Sequence, residues 1–316
     1  MSATVMTATG TWSGATGSAD GVRDVTVDDQ FAIASITKSI VATQVMQLVE
    51  AGELALDKPA GDYLPKDLDF DTNGATIRQL LGMRSGIPSY EEALVNADGT
   101  LKPLLTRTPR RHWTARELLQ LVAAGRTPPG TTFDYSSTNY VLLGLIIEQV
   151  RGRPLIEVLR DGVLSGEGLE RLIFQPDEAP TAPMAMPFGH KNALDVGGGY
   201  LPSMADASTG NAAYSMASDS PTLARWWRAF CAGEIVSQAS LTEMSTFRFA
   251  DRYGLGLFDI AEGVTPSVGH AGWQTGYVSW AGCMPEDGSV VVVLTNQELD
   301  DIGGMGAPLV RAAQSD

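Results

Sequence analysis

Phe31-Ala32-Ile33-Ala34-Ser35-Ile36-Thr37-Lys38-Ser39-Ile40-Val41 is the stretch from which the fold can be read. Its first four residues run directly into a helix expected over Ser35 to Glu50, apolar at Ile36, Ile40, Val41, Val45, Met46, Leu48 and Val49 and stopped at Gly52. So much apolar surface implies a buried helix. A lysine three residues after a serine lies on the serine's own helical face. It also stands at the helix end where free N–H groups and the dipole favour an alkoxide or an oxyanion. A solvated lysine fits such a helix poorly. Ser35 is therefore a candidate nucleophile. Lys38 is its candidate base, provided burial and neighbouring positive charge bring it below the ordinary lysine pKa of about 10.4.

Outward from this helix, Thr11 to Asp24 reads as short strands and turns, and Asp57 to Pro65 as a crossing segment. A helix is expected from about Ile77 to Met83, ending at Ser85-Gly86 with Pro88 beyond. Thr114 and Glu117 make a capping box for another, continuing through Leu121 and Val122 until Pro128-Pro129-Gly130 opens the loop that bears Tyr135. Ser137 or Thr138 can cap a third over Asn139 to Val150, which has almost no polar face. Phe174 to Tyr214 reads as long loops rimming a cleft. Pro221 opens a helix reaching about Cys231, with Ser218, Asp219 and Ser220 as cap candidates. Tyr253 to Ile260, Tyr277 to Met284 and Ser289 to Thr295 read as strands, the last two joined at Pro285-Glu286-Asp287-Gly288, and a final helix runs from about Asp300 to Ala313. Strands at both ends with helices between them predict an α/β (α+β) fold. A largely antiparallel sheet flanked by helices forms from residues 1–60 and 206–316, with a mainly helical lobe, 61–205, inserted and the active site at their junction.

The net charge of -15 over 316 residues makes nucleic acid and anionic membrane surfaces poor partners. No stretch approaches the roughly 20 uninterrupted apolar residues of a membrane span, and residues 1–10 lack the basic flank and apolar core of an export signal. Cys231 and Cys283 are too few for a metal cluster; both lie in apolar segments and read as buried thiols, with one bridge as the alternative. Composition sets neither the oligomeric state nor the compartment.

Tyr135, in Tyr135-Ser136-Ser137, offers a phenol that a nearby ammonium could make a second proton carrier. In His270-Ala271-Gly272, His270 has no second histidine or cysteine at metal spacing. Gly272 would let a substrate backbone approach a strand edge, and the Trp273 N–H could complete an oxyanion site begun by that of Ser35. His112 and His190 read as ordinary surface or satisfied histidines.

These three elements resemble the serine β-lactamase and penicillin-recognising hydrolase superfamily, in its branch of class C β-lactamases, D-alanyl-D-alanine carboxypeptidases, D-aminopeptidases and family VIII carboxylesterases. The resemblance extends through Ala51-Gly52-Glu53-Leu54-Ala55-Leu56-Asp57-Lys58-Pro59, Tyr63-Leu64-Pro65, the segment from Leu80 to Pro88, Pro129-Gly130 and Asn139-Tyr140-Val141-Leu142-Leu143-Gly144. It implies a β-lactamase/transpeptidase-like fold in which Ser35 is acylated, Lys38 activates it and Tyr135 is general base and acid. Ser137, His270, Gly272 and Trp273 would bind a small-molecule or peptide substrate, and no metal or organic cofactor is called for. Relatives are commonly exported. Ser137 stands where the family usually has an asparagine that holds the substrate amide, which shifts the expectation toward esters. The implied activity is an esterase or D-amino-acid peptidase; a weak β-lactamase or penicillin-binding protein, or a non-catalytic assembly role on the same fold, are the alternatives. Relatives also place a helix and most of a first strand before the region matching Trp12-Ser13-Gly14. Without them a sheet edge would be open.

Overall fold

The computed structural model describes residues 1–96, 100–187, 202–247, 251–299, 301 and 304–315. His190 and Asp300 lie outside them. The strands are β1 (Ser2–Met6), β2 (Thr11–Ala15), β3 (Phe31–Ala32), β4 (Ile173–Phe174), β5 (Met216–Ser218), β6 (Val268–Gln274), β7 (Tyr277–Met284) and β8 (Ser289–Thr295). The helices are α1 (Ile36–Glu50), α2 (Ile77–Leu81), α3 (Pro103–Thr106), α4 (Ala115–Leu119), α5 (Thr138–Arg151), α6 (Leu155–Asp161), α7 (Met204–Tyr214), α8 (Ser220–Cys231), α9 (Gln238–Met244) and α10 (Ala307–Ala313).

The main sheet is antiparallel, in the order β2-β1-β8-β7-β6. Its centre is β8, Ser-Val-Val-Val-Val-Leu-Thr, buried at every residue because both faces are covered. Val290, Val292 and Leu294 join the principal core, while Val291 and Val293 pack with Trp280, Met284 and Val310 of α10 on the opposite face. Branched residues suit such a strand. The first strand expected to be missing is present: Ser2–Met6 pairs with β8 on one side and β2 on the other, so β2 and not the sheet centre forms that edge.

Against the core face lie α1 and α8. Asp219 caps α8 by accepting the Thr222 N–H at 2.7 Å, and Trp226 stacks on Phe230 with centroids 5.3 Å apart. Cys231 at the end of α8 is joined to Cys283 of β7 in a disulfide, which corrects the reading of two buried thiols. Small β3, β5 and β4 form a second sheet in the order β3-β5-β4, which sets the approach to α1.

Four expected elements change. Met204–Tyr214 is helical, not loop, since its small residues are buried nearly all round and show no apolar period. Tyr253 to Ile260 is no strand but a tight reversal in which Tyr253 bridges Phe258 and Phe258 bridges Gly269. Helix α4 stops at Leu119, short of Leu121 and Val122, and α10 begins at Ala307.

Asp219→Ala removes the α8 cap and an ion pair to Arg171 at 3.1 Å. The expected loss is about 1–2 kcal/mol, read as a lower denaturation midpoint at unchanged slope; an unchanged midpoint would show that the cap contributes nothing.

Candidate active site

The chain enters α1 through a turn that β3 and β5 hold in place. Ile33 N–H donates to the Met216 carbonyl at 2.9 Å, and the Thr37 hydroxyl accepts from Met216 N–H at 3.1 Å. Ala34, fully buried, takes the left-handed conformation at φ 48°, a strained choice for a residue with a Cβ. In the first turn Ile36, Thr37 and Lys38 N–H groups donate back to the carbonyls of Ile33, Ala34 and Ser35 at 3.2, 3.0 and 3.0 Å. The Ser35 N–H precedes this series, at the positive end of the helix.

Lys38 is fully buried, and its Nζ donates to Ser35 Oγ at 3.0 Å and to the Ala213 carbonyl at 3.1 Å. Three tyrosine rings surround the ammonium, with centroids 4.9 Å (Tyr135), 5.7 Å (Tyr140) and 5.8 Å (Tyr214) away. Burial lowers the Lys38 pKa to about 8, against the opposing pull of the Glu91 charge. Among the described residues no positive neighbour contributes, where the sequence suggested one.

Tyr135 is half-buried and shares a hydrogen bond with Ser35; burial raises its phenol well above the ordinary range. The loop that carries it hangs on Met83, itself at φ 57°: Asp134 N–H donates to the Met83 carbonyl at 2.9 Å and Ser136 N–H to its Sδ at 3.4 Å. Asn139, at the start of α5, accepts from the Ser85 hydroxyl at 2.6 Å. The segment from Leu80 to Pro88 is thus a bracket for the tyrosine loop. Ser137 is the first-turn residue of α5 but makes no side-chain cap. It is buried, and its Oγ has no partner among the described residues.

His270 is 1% exposed and does not face open space. Its ring packs against Tyr135, Tyr253 and Phe258, its Nδ1 pairs with the Ala271 carbonyl, and its Nε2 lies 3.5 Å from the Tyr253 hydroxyl. With Nδ1 as donor, Nε2 accepts. Burial first, and then the Lys38 charge, lower the His270 pKa to about 3, so the ring is neutral. In this arrangement the ring lies against Tyr135.

Gly272 is required by the packing of the protein itself. A Cβ there would stand 2.5 Å from the Ile33 carbonyl oxygen and from Ser279 Oγ, and 2.9 Å from Ala34 Cβ. The backbone it admits is the protein's own nucleophile turn. On β6, Gly269 exchanges both backbone bonds with Phe258, away from β7. Alternation along the strand therefore turns the Trp273 N–H to the same free edge, one residue past the contact with Ile33 and Ala34.

Sequence reading missed Ala213 and Tyr214, which lie on the helix taken for a loop, and Tyr253, taken for a strand residue. It also missed two carboxyls. Glu91 acts electrostatically on Lys38, Tyr135 and Tyr214. Asp206 is buried, accepts from Gln274 Nε2 at 3.4 Å, and is raised to about 7, mainly by burial. Their only sequence signal was acidic residues near recognised segments. Among the described residues no cluster of three His, Cys, Asp or Glu side chains could hold a metal ion, and no described helix is long and apolar enough to cross a membrane.

A buried lysine on a serine hydroxyl, with a tyrosine beside both and a strand edge opposite, defines the active-serine class of penicillin-recognising folds. The chain belongs to the Beta-lactamase family, whose model matches residues 2–314. It is 35% identical over 167 residues to "Penicillin-binding protein 4" of Amycolatopsis lactamdurans, covering 51% of this chain and 40% of that protein. To "Esterase EstB" of Burkholderia gladioli it is 33% identical over 142 residues, covering 42% of this chain and 35% of that protein. The matches thus span less than half of either relative. The D-amino acid amidase from Ochrobactrum anthropi SV3 superposes with a TM-score of 0.79 at 26% identity, over 100% of this chain and 95% of that one.

Gly272→Ala should fold with a displaced nucleophile turn and lose activity by about a hundredfold or more, since small misplacements cost that much. Near-normal turnover would show that the turn tolerates the extra methyl.

Proposed function

We propose that the chain is a serine hydrolase that cleaves small esters, or amides of D-amino acids, through an acyl-Ser35 intermediate. The observation that carries this is the buried Lys38 amine 3.0 Å from Ser35 Oγ, with a pKa lowered to about 8. In this reading neutral Lys38 takes the Ser35 proton as Oγ attacks the carbonyl carbon. The Ser35 and Trp273 N–H groups hold the tetrahedral oxyanion. Tyr135, a phenol and not a standing phenolate, passes the proton from Lys38 to the departing oxygen or nitrogen. Water then repeats the sequence on the acyl-enzyme, with Lys38 again the acceptor. His270 keeps the Tyr135 ring in place. The site lies where residues 1–60 and 206–316 meet the inserted lobe, 61–205. The Glu91 charge, which is felt at the lysine, favours a substrate with a free ammonium, in keeping with the amidase likeness.

Incubation with p-nitrophenyl butyrate should give p-nitrophenol and a transient mass adduct in the wild type, and neither with Ser35→Ala. Turnover by Ser35→Ala would refute the nucleophile. Because only neutral Lys38 accepts a proton, kcat/KM should rise with pH up to about 8 and level above it. Neutral His270 adds no step near 6.5; a profile flat from 6 to 9 would remove Lys38 as base. Glu91→Gln should raise KM for D-phenylalanine amide at least fivefold while leaving that for p-nitrophenyl butyrate unchanged, and equal effects on both would remove Glu91 from ammonium binding.

A further inference from the structure

Tyr253 stands one layer behind the proton carriers, on a reversal fixed to both walls of the site. On the helix side the Ser39 hydroxyl of α1 donates to the Gly256 carbonyl at 2.7 Å. A Cβ on Gly256 would stand 2.5 Å from Ala42 Cβ, 2.8 Å from the Tyr140 hydroxyl and 3.3 Å from the Lys38 carbonyl oxygen, so the reversal passes directly behind the lysine. On the strand side Phe258 exchanges both backbone bonds with Gly269 of β6, at 2.8 and 3.0 Å. Backbone packed this closely on α1 and β6 has little freedom to shift. The Tyr253 ring is therefore held relative to the two elements that carry Ser35 and the oxyanion edge.

From that frame the ring projects among four others. Its centroid is 4.5 Å from that of Phe258, 5.6 Å from Phe133, 5.9 Å from His270 and 6.1 Å from Tyr135, which it meets edge-on at an interplanar angle of 80°. An edge-to-face pair sets the tilt of a ring as well as its distance. Tyr253 is 3% exposed, and burial keeps its phenol protonated, so the hydroxyl is a standing donor. It lies 3.5 Å from His270 Nε2, the accepting nitrogen, since Nδ1 faces the Ala271 carbonyl. The imidazole in turn lies 6.3 Å from the Tyr135 ring. Tyr135 is thus met twice from Tyr253, once directly and once through His270. The Met83 bracket fixes the backbone of the Tyr135 loop, whereas these two contacts act on its ring.

We infer that Tyr253 is a positioning residue for proton delivery by Tyr135: its ring sets the tilt of the phenol, and its hydroxyl holds the imidazole that backs it. This rests on the reading of Tyr135 as the group that hands a proton to the departing atom. As the bond from the carbonyl carbon to the leaving oxygen breaks, that oxygen takes the Tyr135 proton, and Tyr135 takes the one that Lys38 removed from Ser35. The hydroxyl is the atom of Tyr135 farthest from the backbone, so a small change of tilt displaces it most. Loss of Tyr253 therefore strikes the departure of a group that needs a proton and leaves the attack by Ser35, with Lys38 as acceptor, largely in place.

The test compares kcat/KM for ethyl butyrate, whose alkoxide leaves only with a proton, and p-nitrophenyl butyrate, whose phenolate leaves without one. In Tyr253→Leu the ethyl ester should lose about a hundredfold and the nitrophenyl ester less than about tenfold. Tyr253→Phe keeps the ring and the fold and removes only the hydroxyl; it should show the same selectivity, with a loss of about tenfold on the ethyl ester. Tyr135→Phe is the reference and should be selective in the same sense. The double variant Tyr135→Phe/Tyr253→Phe should lose no more than Tyr135→Phe alone, because a ring with no proton to deliver gains nothing from its position. A selective Tyr135→Phe with no loss, or equal losses on the two esters, in both Tyr253 variants overturns the inference and leaves the hydrolase reading standing. Additive losses in the double variant do the same. Equal losses in Tyr135→Phe remove Tyr135 as the proton donor, and the part of Tyr253 with it. A wild type that cleaves the nitrophenyl ester alone has no proton delivery to position, which overturns the inference; one that cleaves neither ester sinks the hydrolase reading as well.

Discussion

The ammonium of Lys38 has been taken out of water on a helix that is buried along almost its whole length, and the surrounding structure is arranged to make that tolerable. An isolated buried charge is costly, and the usual remedies are an ion pair or loss of the proton. Among the described residues no carboxylate is in contact with it. Instead the ammonium has two oxygens, one from Ser35 and one from Ala213, and three tyrosine rings. This is enough to hold the group in position and too little to hold its proton firmly. Those five groups come from α1, α5, α7 and the Tyr135 loop, so the proton affinity of one nitrogen depends on how four segments pack.

The same economy appears across the nucleophile turn. Ala34 in its left-handed conformation, the absent side chain at Gly272 and the Ser279 hydroxyl donating to the Ile33 carbonyl at 2.7 Å together fix the separation of α1 from β6. A site that needs donors from a helix start and from a strand edge requires that separation to be constant, and backbone packed on backbone holds it better than side chains would.

Elements with local signals were legible in the chain: α1 from its apolar surface and Gly52, β7 and β8 from their branched residues and the turn at Gly288, α4 from its Thr114 and Glu117 capping box, α8 from Asp219 and Pro221. What escaped had no local signal. Helix α7 is built of small residues buried nearly all round, so it shows no stripe. Glu91 and Asp206 matter only through what the fold places beside them. Gly272 could be recognised as a close approach, but whether substrate or the protein's own backbone came close was a tertiary fact. His270 was legible as a site residue and not as one facing inward. The bond between Cys231 and Cys283 spans 52 residues and depends on where α8 lies on the sheet.

The strand order carries a consequence for how the chain acquires its shape. Ser2–Met6 pairs with Val290–Leu294, so the sheet closes across all the sequence that lies between Met6 and Val290. Each doubling of such a loop adds only about 0.6 kcal/mol of entropy, so the final stability hardly suffers, but the contact is slow to form and waits for the last strands to leave the ribosome. Until then β6 has no β7 and β8 behind it, and Ser35 faces no strand edge. A chain interrupted before β7 carries both Ser35 and Lys38 without a paired β6 opposite them, so the two walls of the cleft come together only after β8 has been made.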